Sequence, residues 1–300
     1  MAQMHVNGNL MHGFKGVAVS AILASTALIS PSTAASQNTV PEVVTAAQAA
    51  TYVDLVDLAE RSDMVIRVEI RRQIVVEPER APGLEPGFAR LYIEARTLDL
   101  IAGSSAVGES LAFLVDVPLN EKGKPDKYKK RQMLLFADRV PGRRGSIRLT
   151  GKQAMLDYSP EFEARLRPIL TDLAGGNVPP LVTGIGDALA VKGTLVGESE
   201  TQIFITTEDR SPVSITVLRR PGQPAAWGVS WGEIIDSAAR APSPETLRWY
   251  RLACALPDRL PSSANLARDP EARRLAEVDY RFVIDQLGPC ARVITEADEA

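Results

Sequence analysis

The chain is poor in histidine: there are two in 300 residues, His5 and His12. Both lie ahead of an expected export-signal cleavage point, which leaves the mature chain without an imidazole. That excludes serine–histidine hydrolases, cysteine–histidine proteases, histidine-ligated metals and a proton switch near neutral pH. Cysteine is as scarce, with only Cys254 and Cys290. A pair without histidine is a poor zinc site, and no C-x-x-C spacing marks a redox centre. Beyond the leader, no apolar run approaches the ~20 residues that span a bilayer. P-loop, H-E-x-x-H and EF-hand spacings are also missing, so no cofactor and no metal are expected.

What is present begins with a leader. Lys15 precedes the apolar run Gly16 to Ser30, then Pro31 and the small residues Ser32-Thr33-Ala34-Ala35. A positive start, a short apolar core and a small-residue cleavage site describe a signal peptide over 1–35, cut after Ala34 or Ala35. The mature protein is therefore expected in the periplasm or secreted. There Cys254 and Cys290 have one possible intramolecular pairing, and a disulfide is predicted. Net charge is −3, which gives no global drive toward nucleic acid or an anionic membrane. The chain is 45% hydrophobic, enough for an ordinary core.

Residues 36–50 are Ala-rich and polar and predict a flexible lead-in. Tyr52, Leu55, Val56 and Ala59 share one helical face. From Met64 to Val76 the period drops to two: Ile66, Val68 and Ile70 oppose Arg67, Glu69 and Arg71, a strand with one buried face. Further strands are read around 91–96, 111–117, 132–137 and 145–150. Five short strands separated by turn signals predict a small closed or half-closed barrel over 51–155. A linking helix is expected over 156–177. Strands at 191–195, 201–207, 213–218 and 226–231 are joined by short loops and predict an antiparallel meander within 178–290. Residues 291–300 read as an acidic tail. The fold class is thus α+β.

Three helix starts carry one signature: Ser159-Pro160-Glu161, Ser243-Pro244-Glu245 and Asp269-Pro270-Glu271. Each places a capping oxygen, a proline that needs no donor, and an acid at the positive dipole end. The last two helices form a pair, with Leu247, Tyr250 and Cys254 on one face and Leu275, Val278 and Phe282 on the other. Cys254 and Cys290 would close that pair as a structural staple. Gly184-Ile185-Gly186 reads as a turn ahead of a strand, not as a dinucleotide fingerprint. Gly228-Val229-Ser230-Trp231-Gly232 matches a nucleophile elbow, but without histidine the better reading is a strand with Trp227, Val229 and Trp231 on one face.

The uneven feature is basic. Lys122, Lys124, Lys127, Lys129 and Lys130 fall in nine residues, with Arg131 adjoining, and Arg143 and Arg144 fall in the next loop. Gly123 and Pro125 make the first stretch a loop, and a barrel would bring both loops to one end. These eight side chains are the candidate ligand-binding set, and the expected partner is an anionic envelope component or an acidic protein.

The run Leu58-Ala59-Glu60-Arg61-Ser62-Asp63-Met64-Val65-Ile66-Arg67-Val68, then Leu100-Ile101-Ala102-Gly103, then Met133-Leu134-Leu135-Phe136, resembles the order in small secreted barrels of the OB or netrin-like kind. The segment Gly193 to Val217, with Glu200-Thr201-Gln202-Ile203-Phe204, resembles uncharacterised exported proteins of Gram-negative bacteria, a likeness that implies no particular activity. Netrin-like modules rely on N-terminal cysteines that are absent here, which speaks against an inhibitor role. The sequence favours a soluble periplasmic binding or interaction protein without catalytic residues. The alternative is a histidine-independent hydrolase using a carboxylate pair or serine with lysine; a third reading is an accessory subunit of an envelope complex.

Overall fold

The chain builds two antiparallel sheets with helices packed on them. The structure is a computed structural model that describes residues 45–104, 106–233 and 239–296. The expected signal peptide and most of the expected lead-in lie outside the described residues.

The first sheet holds β1 (Met64–Val75), β2 (Phe88–Gly103), β3 (Ser110–Pro118), β4 (Gln132–Arg139), β5 (Ile147–Leu149) and β6 (Met155–Asp157). Its order is β3-β2-β1-β4-β5, and β6 also pairs with β4. The alternation read in the sequence is the alternation of burial: Ile66, Val68 and Ile70 join Leu91, Ile93, Phe113, Val115, Met133 and Leu135 in one core. Three register shifts in the β1–β2 ladder curl the sheet. β4 departs from alternation because both of its faces are covered. Leu134 and Phe136 point the other way, with Val65 of β1, into a second core beneath the helices.

The expected five-stranded barrel needs correction on two points. Among the described residues the first sheet has six strands, and neither sheet closes. The edges of the first sheet meet at a single parallel bridge, Ala112 with Ser146, where the Ala112 N–H donates to the Gly145 carbonyl at 2.8 Å. β5 has three residues against nine in β3, too few for a ladder.

Helices α1 (Ala46–Ala49), α2 (Tyr52–Glu60) and α3 (Pro160–Ala174) cover the second core. The end of the supposed flexible lead-in is thus ordered: Thr45 and Gln48 form a capping box at α1, and Ala47 and Ala50 are buried. Thr51 and Asp54 repeat the box at α2. All residues of α2 from Val53 to Ala59 are buried, because the helix is wedged between two cores. α3 starts as predicted, with Ser159 Oγ accepting the Phe162 N–H, and buries Phe162, Leu166 and Ile169.

The second sheet is the predicted meander, in the order β10-β9-β8-β7. It comprises β7 (Val182–Lys192), β8 (Ser199–Thr207), β9 (Val213–Arg219) and β10 (Ala226–Ser230). β7 begins nine residues before its expected start, and Gly184-Ile185-Gly186 lies inside it rather than in a turn. Register shifts flank that tripeptide, so the glycines mark irregular pairing. Helices α4 (Leu247–Ala253) and α5 (Pro270–Leu287) pack on this sheet, and Cys254 is bonded to Cys290. α5 is capped by Asp269 as predicted. α4 is not capped by Ser243: Thr246 Oγ1 accepts the Trp249 N–H, and Glu245 takes a positive φ of 55° just before it. The buried stripe of α5 is Ala276, Tyr280, Val283 and Leu287 with Asp279, whereas Val278 of the expected face is 46% exposed. The described part of the acidic tail, residues 291–296, is anchored: Val293, Ile294 and Thr295 donate their N–H groups to the Asp54 carboxylate.

Candidate functional site

The basic residues lie in the connection between β3 and β4, which is wound tightly around Asn120. The Asn120 Oδ1 accepts the N–H groups of Lys122 (3.0 Å) and Lys124 (3.3 Å), its own N–H donates to the Lys124 carbonyl, and its Nδ2 donates to Asp126 Oδ1. Gly123 sits at the tip with φ 68°, where a side chain would be strained. The far half of the connection docks on β1. Gln73 Nε2 donates to the Asp126 carbonyl at 2.9 Å and Gln73 Oε1 accepts the Tyr128 N–H at 2.6 Å. Lys130 N–H donates to the Ile70 carbonyl, and Ile70 N–H to the Arg131 carbonyl. The backbone is therefore held by the loop's own Asn120 side chain and by the Gln73 side chain and Ile70 backbone of β1.

Lys122, Lys124, Lys127, Lys129 and Lys130 are all exposed, and none forms an ion pair among the described residues. Arg131 behaves differently. It donates to Asp157 from Nε (3.1 Å) and NH2, and its guanidinium lies 5.0 Å from the centre of the Tyr128 ring. Burial pushes the Tyr128 phenol up, against the pull of Arg131. Arg131 thus ties the loop to β6 and leaves the free charge to the five lysines. Among the described residues, the two lysines outside the loop are paired: Lys152 with Glu85 at 2.7 Å, and Lys192 with Glu271.

Arg143 and Arg144 do not join this cluster, and here the expectation of one basic end fails. β4 runs from Gln132, beside the lysine loop, to Arg139, beside the loop that carries the two arginines. The lysine loop is bridged to the end of β3 through Leu119 and Pro125, and the arginine loop to its beginning through Ala112 and Ser146. Eight strand residues put the two roughly 25 Å apart. Arg143 and Arg144 instead edge a cavity of about 660 Å³ together with Arg139. Arg139 was not singled out from the sequence, because it reads as the polar end of a strand. The signal for it was the clustering of three arginines around Pro141-Gly142.

Gly228 to Ser230 of the Gly228-Val229-Ser230-Trp231-Gly232 motif end strand β10, as expected, while Trp231 and Gly232 lie just past it. Val229 lies in the core against α4 and α5, and Trp227 and Trp231 pack at its edge. Ser230 is 6% exposed, in register with Ser214 of β9. Gly228 is needed for space: a Cβ there would lie 1.9 Å from the Ala239 carbonyl oxygen, and the neighbouring Val229 N–H donates to the Arg240 carbonyl at 3.3 Å.

The most buried carboxylates are consumed by structure. Asp54 is gripped by Thr51 and residues 293–295, Asp57 by Tyr250, Arg292 and Thr295, and Asp279 by Thr201 and by Arg219 at 2.6 Å. Among the described residues, no group of three or more histidine, cysteine, aspartate or glutamate side chains is arranged to hold a metal ion. No helix there is long and apolar enough to cross a membrane. Compared with known proteins, the chain matches no family model and no curated relative.

Proposed function

We propose that this chain is an exported binding or interaction protein that engages an anionic partner through the lysine loop between β3 and β4. The observation that carries the reading is the set of five exposed lysine ammoniums, unpaired among the described residues, on a backbone fixed by Asn120 and Gln73. A flexible charged tip serves solubility as well as an ordered one. An ordered tip also presents its charges in fixed positions, which is what recognition of an anionic surface uses. The remainder of the chain is net acidic, so the loop reverses the local sign of the field.

Export is supported by the leader sequence and by the Cys254–Cys290 bond, which suits an oxidising compartment. An OB-like half-barrel is the description we favour for the first sheet. Its strands follow the neighbour order β1-β2-β3 and β1-β4-β5, with the Ala112–Ser146 bridge at the seam. The likeness of Gly193 to Val217 to uncharacterised exported proteins fits the same compartment. The partner is an anionic envelope component, with an acidic protein surface second.

The test is co-sedimentation of the mature chain with vesicles containing anionic phospholipid. Each lysine near such a surface contributes about 1 kcal/mol, so Lys127→Glu with Lys129→Glu should weaken binding by roughly 100-fold or more. Binding by the parent but equally by the double variant overturns the role of the loop. No vesicle binding by the parent, with retained capture of an acidic protein that the double variant loses, moves the partner to the second class.

A further inference from the structure

We infer that the cavity edged by Arg139, Arg143 and Arg144 is a second binding site, separate from the lysine loop, for a small amphiphilic anion: a phosphate or carboxylate head on a short apolar chain. Its floor is the open end of the first core. Met64, Leu111 and Ile147 line it, and all three are core residues under 7% exposed. The opening lies at the end of the seam where β3 and the chain before β5 are joined by one bridge, which is why the core is accessible there. At about 660 Å³ the cavity falls in the size range of small-molecule sites.

The mouth supplies the charge. Arg139, Arg143 and Arg144 are exposed and form no ion pair among the described residues, and no carboxylate lines the cavity. The loop that carries two of them is preset by its own turns. Arg143 N–H donates to the Val140 carbonyl and Ser146 N–H to the Arg143 carbonyl, both at 3.2 Å. Gly142 and Gly145 take φ of 74° and 79°, and a Cβ on Gly145 would lie 3.3 Å from the Ser110 carbonyl oxygen. A guanidinium offers a planar pair of donors suited to phosphate and carboxylate oxygens. The two halves of the site exclude simpler ligands. An inorganic anion leaves the apolar floor wet, an uncharged apolar molecule leaves three guanidiniums unused, and a cationic amphiphile is repelled.

The experiment is calorimetric titration of the mature chain with monomeric butyl, hexyl and octyl phosphate. Inorganic phosphate, octyltrimethylammonium and octyl glucoside serve as comparison probes. One-to-one binding is expected, tightening about fourfold per added methylene as the chain enters the floor. Arg143→Ala with Arg144→Ala should weaken octyl phosphate at least tenfold. Lys127→Glu with Lys129→Glu should leave it unchanged, which separates this site from the lysine loop. Where the arginine pair variant does not fold, Arg139→Glu must show the same loss. Four results overturn the proposal: affinity independent of chain length, equal binding of inorganic phosphate, equal binding of octyltrimethylammonium, or loss with the lysine variant instead of the arginine one. Absence of any octyl phosphate binding at millimolar concentration overturns it too.

Discussion

The carboxylate of Asp54 accepts the backbone N–H of Thr295 at 2.8 Å, across 241 residues of chain. The same carboxylate caps α2 through Thr51 and takes the N–H groups of Val293 and Ile294. One side chain thus serves as helix cap and as anchor for the C-terminal segment. Asp54→Ala should leave several buried donors without an acceptor and cost about 3 kcal/mol. Urea denaturation checks this, and a loss under 1 kcal/mol would show that residues 291–296 contribute little.

Acid should act through the same group. Burial works to raise the Asp54 carboxyl, but hydrogen bonds from Thr295 and Thr51 outweigh it and hold it at about 2, below its ordinary 3.8. A folded value below the unfolded one means that the contribution is present above about pH 4 and lost as pH falls toward 2. Stability of the parent should therefore drop more steeply between pH 4 and 2 than that of Asp54→Asn, which starts lower. Parallel curves for the two proteins would contradict the assignment.

The Cys254–Cys290 bond closes a separation of 36 residues. By loop-closure entropy it contributes about 3–4 kcal/mol. Replacing both cysteines with serine should lower stability by that order. It should also speed amide exchange at Val293, Ile294 and Thr295, which follow Cys290 directly. Unchanged exchange at those three amides would mean that Asp54 holds the segment without help from the bond.

Gly228 and Gly232 belong to one motif and have opposite surroundings. A Cβ on Gly228 meets the backbone of Ala239 and Arg240, while one on Gly232 meets nothing within 4 Å. Gly228→Ala should cost about 2 kcal/mol by overpacking, and Gly232→Ala should be near neutral. Thermal melts of the two variants make the comparison; equal melting points would show that segment 239–240 yields freely.

Much of this architecture was legible because burial here follows period. The alternation of Ile66, Val68 and Ile70 with charged neighbours gave β1, and the caps Ser159 and Asp269 gave two helix starts. What escaped notice depended on partners distant in sequence. In α5 two apolar stripes compete, Leu275-Val278-Phe282 and Ala276-Tyr280-Val283-Leu287. The second is buried, and it carries Asp279, a residue that looks unsuited to a core until Thr201 and Arg219 arrive from the second sheet. Glycines interrupt the apolar pattern at the start of β7, so the sequence predicts a strand shorter than the one that forms. In the candidate sites, the lysine cluster was visible as composition. Its separation from Arg143 and Arg144 was not, because it follows from β4 running from one loop to the other.

The grip of Asp54 on residues 293–295 also orders events in time. A chain made from its N-terminus presents α2 early, and Thr295 emerges 241 residues after Asp54. Until residues 293–295 emerge, α2 has its own capping box and seven consecutive residues to bury, but the Asp54 carboxylate lacks the donors that complete its hydrogen bonding. Final packing of the helix between its two cores is then a late step, set by contacts of high sequence separation.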